Sequence, residues 1–174
     1  MIKNLPKTNQ TGFTLVELLI TTSLTVMLML TITTMFMTFL VGNSKTNIRK
    51  KVKEEGLVAL SQMEFIIKNA YYVEGTCGTG TTIDITSLDG GTTTYSQQTV
   101  DGINKIASTS AALPPVTKYL TSDSVNISNL NFVCTGETGN RQVIVSFSLT
   151  KNAPTLGEES IITEDFKSII NMRN

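Results

Sequence analysis

The 174-residue sequence predicts an α+β fold, in which one long N-terminal helix packs on an antiparallel β-sheet, and three features point that way. Residues 13–42 are apolar and carry one ionisable side chain, Glu17. Beyond them Ile48, Val52, Gly56, Leu60, Met63, Ile67 and Ala70 recur every three to four residues, the period of a helix that buries one stripe. From residue 75 onward Ser, Thr, Asn and Gly become abundant, and apolar residues alternate as they do in half-buried strands.

The apolar run comes first. A helix rises 1.5 Å per residue, so residues 13–42 span about 45 Å against a hydrocarbon core of roughly 30 Å. A secretory signal has an apolar stretch of about 7–15 residues before a small-residue cleavage site, and this run is twice as long with no such site after it. A plain single-pass anchor accounts for the length but leaves Glu17 unexplained, because a carboxylate near lipid is costly and is usually paired or functional.

"GFTLVELLITT", residues 12–22, resembles the prepilin signature of type IV pilins and type II secretion pseudopilins: a short polar, basic leader ending in Gly, then Phe-Thr-Leu-x-Glu and a hydrophobic helix. Lys3 and Lys7 are the leader's only charged side chains. The resemblance implies a type IV pilin-like fold and cleavage by a prepilin peptidase between Gly12 and Phe13 on the cytoplasmic side. Phe13 then becomes the new, N-methylated terminus, and Glu17 stands at the family's glutamate position. It further implies other pilin or pseudopilin subunits, an inner-membrane assembly platform and, before assembly, membrane lipid as partners. Many type IV pilins carry a proline in the membrane half of this helix, and none is present here.

This resemblance suggests what Glu17 is for. The α-amine created at Phe13 enters an apolar helical bundle, and Glu17 lies one helical turn away on the same face. It can offset that amine within one subunit or pair with the amine of a neighbour. Desolvation offsets much of the attraction, so the expected benefit is register between subunits. Glu17 therefore reads as an assembly residue.

Flanking charge points the other way. Lys45, Arg49, Lys50, Lys51 and Lys53 outnumber the leader's lysines, and a positive-inside count alone places the C-terminal side in the cytoplasm. The family orientation, leader inside and domain outside, is preferred because the peptidase is cytoplasmic and two cysteines suit an oxidising exterior. The basic run itself reads as a solvated face, or alternatively as a contact to anionic lipid before assembly and to other subunits afterwards.

Four segments follow: a cleaved leader (1–12), an assembly and transmembrane helix (13–42), the amphipathic half of the same helix (43–72), with Gly42-Asn43 as a candidate kink, and an exported β-rich domain (73–174). In that domain Ile83 and Ile85 alternate before an Asp89-Gly90-Gly91 turn, and Asp101-Gly102 marks a second turn. Residues 107–118, with Pro114-Pro115, read as an exposed connection. Leu130, Phe132 and Cys134 share a face, as do Val143, Val145, Phe147 and Leu149 after the "GETGN" turn. The tail fits a helix through Ile162, Phe166, Ile169 and Ile170, or a strand through Phe166, Ser168, Ile170 and Met172. Its ending is similar to the C-terminal strand of some minor pilins and pseudopilins, which favours the strand.

Composition narrows the chemistry. Histidine is absent, which removes Ser-His-Asp and Cys-His nucleophiles and HExxH zinc sites. Net charge is zero and no aromatic-basic strip appears, so neither an enzyme nor a direct nucleic-acid binder is expected. Asp89, Asp101 and Asp123 sit in no ligand-rich pattern, so no metal and no cofactor are assigned. Cys77 and Cys134 form no CxxC pair; in an exported domain an even count favours a bridge over two separate buried thiols. The expected function is a structural subunit, a minor pilin or pseudopilin, held first in the membrane by one pass and then in an extracellular or periplasmic filament. The alternative is a membrane-tethered exported binding domain that does not polymerise.

Overall fold

The computed structural model describes residues 12–73, 79–136, 141–155 and 158–172. Its one α-helix among them, α1 (Leu15–Lys68), continues through Gly42-Asn43. The chain divides into two compact units, Met1–Asn43 and Ser44–Asn174.

The first unit is the apolar part of α1. Each of the eight hydroxyl side chains between Leu18 and Gly42 donates to a backbone carbonyl three or four residues back, at 2.7–3.0 Å. A hydroxyl satisfied inside its own helix needs no water, so a threonine-rich run remains compatible with lipid. No residue from Gly12 to Leu40 is buried or half-buried.

The second unit holds the core. Val52, Gly56, Leu60, Met63, Ile67 and Ala70 of the expected stripe are buried, Ile48 is partly so, and Ala59 joins them. They pack against strands arranged in two antiparallel sheets rather than the single expected one. Sheet A has the order β1-β3-β4-β5-β6, from β1 (Tyr72–Val73), β3 (Ile83–Thr86), β4 (Thr92–Val100), β5 (Ile103–Ser110) and β6 (Val116–Tyr119). Sheet B has the order β2-β7-β8-β9, from β2 (Thr79–Gly80), β7 (Asn126–Thr135), β8 (Gln142–Thr155) and β9 (Glu158–Asn171).

Turn chemistry accounts for the hairpins of sheet A. Gly90 adopts φ 82°, and the Gly91 N–H donates to Asp89 Oδ1 at 3.1 Å. Asp101 and Gly102 both have positive φ, 52° and 77°, as a tight two-residue turn between β4 and β5 requires. Residues 107–118 are a correction to the expected open connection, since β5 runs to Ser110 and β6 begins at Val116. Ser-Thr-Ser reads as loop by composition, but it pairs in full register with β4 and β6.

In sheet B, Phe132 and Cys134 of β7 and all four alternating residues of β8 face inward and are buried. Asn129, at φ 56°, shifts the register between Ser128 and Asn131, which lets Ile127 and Leu130 both point inward although three residues apart. The tail forms β9, with Phe166, Ile170 and Met172 buried. The "GETGN" turn falls largely outside the described residues, as does Cys77.

Strand β9 is the part of sheet B that grips the helix. Phe166 stacks on Phe147 with ring centroids 5.1 Å apart and lies over Gly56, where an added Cβ would stand 2.1 Å from the ring. Glu164 receives Arg49 at 2.6 Å and Lys53 at 3.6 Å, and Ser168 Oγ donates to Glu64.

Candidate functional site

The expected site is the start of α1, and the local sequence dictates its geometry. Thr14 is the N-cap: its Oγ1 accepts the Glu17 N–H at 3.3 Å, and its carbonyl accepts the Leu18 N–H at 3.2 Å. Thr14-x-x-Glu17 is thus a capping-box sequence, and Glu17 places an acid in the first turn, where the positive end of the helix dipole favours it. A carboxylate here has a structural reason to exist before any subunit arrives. The Thr14-x-x-Glu17 spacing is legible in the sequence and is the signal that marks this cap.

Among the described residues nothing lies within 4 Å of a Cβ built on Gly12, and Phe13, just before the cap, is 75% exposed. From Phe13 to Leu40 the helix presents large apolar side chains on every side, including Leu18, Leu24, Leu30, Phe36 and Phe39. This is the one helix among the described residues that is long and apolar enough to cross a membrane.

Other sequence candidates are dispersed. Asp89 serves its own turn, Asp101 sits at the β4–β5 turn, and Asp123 pairs with the buried ammonium of Lys105, which also lies 5.2 Å from the Tyr119 ring centroid. Among the described residues no group of three His, Cys, Asp or Glu side chains is placed to hold a metal ion. Burial pushes the Tyr95 hydroxyl above its ordinary 10.0, with a hydrogen bond to Ser108 pulling the other way; it is a core group of sheet A.

Two contacts were not legible in the sequence. The basic run is exposed, as a solvated face requires, and from it Arg49 and Lys53 also converge on Glu164, more than a hundred residues away. Glu55 accepts hydrogen bonds from Ser122 N at 3.3 Å, Ser122 Oγ at 2.8 Å and Ser124 Oγ at 3.0 Å, fastening the β6–β7 loop to α1. No local pattern announces a partner sixty-seven residues distant.

Residues 7–33 match the family model of the prokaryotic N-terminal methylation motif. The chain therefore carries the type IV pilin and pseudopilin signature, with Gly12, Phe13 and Glu17 inside the match. The motif implies a prepilin-processed, pilin-type structural subunit anchored by a single membrane pass, with a prepilin peptidase and other pilins as partners. No curated protein and no solved structure matches the chain.

Proposed function

We propose that this chain is a minor pilin or pseudopilin. In this reading it is inserted with the leader in the cytoplasm and residues 73–174 outside, cut between Gly12 and Phe13, N-methylated on Phe13, and built into a filament through residues 13–42. The observation that carries this reading is the methylation motif standing on the apolar stretch of α1, where no described residue from Gly12 to Leu40 is buried. An all-round apolar surface needs lipid or other helices, and a filament core exchanges one for the other. Glu17 pairs with a Phe13 amine as it enters that core, on the assembly platform and beside sibling subunits.

The test is Glu17→Gln. Glutamine at the third helical position keeps the capping box and removes the charge. Insertion and cleavage after Gly12 persist, checked by intact mass with Phe13 as the first residue. Entry into sheared filament fractions falls by two orders of magnitude or more, because an unpaired buried amine costs about 3–5 kcal/mol. Equal incorporation of wild type and variant refutes the assembly role.

One observation favours the second reading, a tether that does not polymerise: the Thr14–Glu17 cap gives the carboxylate a use without any neighbour. A tether shows no filament fraction in either protein. An uncut Met1 terminus overturns the prepilin reading itself.

Cys77 and Cys134 are proposed to form a disulfide. Its support is the register of β2 on β7: Thr79, two residues after Cys77, pairs with Val133, the neighbour of Cys134. Peptide mapping without reductant yields one linked pair if the bridge is present, and two alkylatable thiols if it is not.

A further inference from the structure

Strand β9 is the last strand of sheet B, and no described strand pairs with its other side. Its register on β8 runs without a shift from Gln142–Asn171 to Thr155–Glu158. One step beyond the first of these pairs, the Met172 N–H donates to the Arg141 carbonyl at 3.1 Å. Hydrogen-bonded and open pairs alternate along an antiparallel ladder. Even-numbered residues of β9 therefore turn their N–H and C=O groups toward β8, and odd-numbered residues turn theirs to the free edge. The same odd residues, Ile161, Thr163, Asp165, Lys167, Ile169 and Asn171, are exposed and share the face away from α1. A free edge of this kind is a template for one more strand.

The charges say which strand fits. The exposed row carries Asp165 and Lys167, and their neighbours on β8, Ser148 and Ser146, are neutral. Lys151 pairs with Ile162 and so belongs to the other face. An acid and a base two positions apart complement a second copy of themselves when the two strands run antiparallel about Phe166. Asp165 then meets Lys167 of the second copy, Lys167 meets its Asp165, and Thr163 meets its Ile169. Because only odd residues offer edge groups, the register moves in steps. The next step either way sets Asp165 against Asp165 or Lys167 against Lys167. Opposite charges across a strand pair attract and like charges repel, so one register is selected. On the inner face, Glu164 with Arg49 and Lys53 comes opposite Ser168 and Glu64 of the second copy, again matched in sign.

The helix leaves room for this seam and sets its polarity. Arg49, Lys53 and Glu64, which reach β9, lie on one flank of the buried stripe through Val52, Ala59 and Met63, so α1 lies inboard of the edge strand. Contacts climb together along helix and strand, from Arg49–Glu164 through Gly56–Phe166 to Glu64–Ser168. Strand and helix therefore run the same way, and a two-fold axis that reverses one reverses the other. The two copies enter their apolar stretches from opposite ends of the pair, so they cannot stand side by side in one membrane.

We propose that the free edge of β9 joins this chain to a second copy carried on an opposing surface, through an antiparallel β9–β9 pairing centred on Phe166. The contact is isologous, so it closes at two copies and links surfaces rather than extending a filament. It goes beyond the filament reading and does not depend on it.

The experiment uses the full-length chain in detergent and in vesicles. In detergent the wild type is expected to form dimers, measured by light scattering behind size exclusion. Lys167→Asp and Asp165→Lys each bring like charges together and lower dimer affinity at least tenfold. An equimolar mixture of the two variants restores pairing, acidic row against basic row, which also shows that both are folded. Two vesicle populations carrying the wild type cluster, and vesicles carrying either variant alone do not. Equal dimerisation of wild type and single variants, absence of a wild-type dimer, or a mixture that does not pair overturns the proposal. Dimers that form within one vesicle without clustering overturn it as well, since the pairing requires opposed anchors. None of these readouts involves a filament, so their failure leaves the filament reading untouched.

Discussion

Two stretches of the same helix, residues 15–40 and 48–68, behave as opposites. In the first, no described side chain is buried, and the hydroxyls turn inward onto their own backbone. In the second, one stripe is sealed under two sheets while Leu57, Val58 and Phe65 on the far side stay exposed. The difference teaches that helix formation and burial are separate decisions. The first stretch is satisfied locally and leaves its surface for another phase or another chain. The second is held by contacts that arrive from far along the sequence.

That contrast can be broken by mutation, and the largest effect falls in the core. Phe147→Ala removes a ring that is 2% exposed and stacked on Phe166, which lowers the stability of the globular unit by about 3–5 kcal/mol. Met29→Ala on the apolar stretch leaves that unfolding unchanged within about 0.5 kcal/mol. Denaturant titration of detergent-solubilised full-length chain, followed through tyrosine fluorescence, measures both. An equal loss in the two variants would erase the distinction.

Next comes Cys77→Ser. The two cysteines stand 57 positions apart, and closing such a loop restricts the unfolded chain by about 4 kcal/mol in the loop-entropy model, with about 2–4 typical. The expected sign is a lower denaturation midpoint in oxidised protein and no difference after reduction. An unchanged midpoint in oxidised protein shows that no bridge contributes.

Gly56→Ala is smaller and more local. The added methyl meets the Phe166 ring at 2.1 Å, so β9 must shift, at a cost of about 1–3 kcal/mol. Gly42→Ala, with nothing within 4 Å, loses nothing and gains up to about 1 kcal/mol of helix propensity. Thermal midpoints of the two variants, moving in opposite directions or one not at all, check this pair.

Smallest is Thr14→Ala, which removes the cap and costs about 1 kcal/mol at the first turn. Hydrogen exchange speeds up at Leu15–Leu18, while the globular unit is untouched. If exchange does not change, Thr14 Oγ1 is not what fixes the helix start.

Much of this was legible from the chain alone, because it depends on near neighbours. The motif at residues 12–17, the length of the apolar run, the buried stripe of α1 and the turns at Asp89-Gly90-Gly91 and Asp101-Gly102 are all written within a few residues of where they act. Alternation gave the inward faces of β7 and β8, and it settled β9 once Phe166, Ile170 and Met172 found a core to fill. What only the tertiary structure decided is which distant groups meet. Splitting the strands into two sheets, pairing Ser-Thr-Ser into β5, laying Phe166 over Gly56, and bringing Glu164 to Arg49 and Glu55 to Ser122 all join residues far apart in sequence. Local spacing carries no information about such partners. The energy that selects them appears only when the faces have closed and the groups have left water.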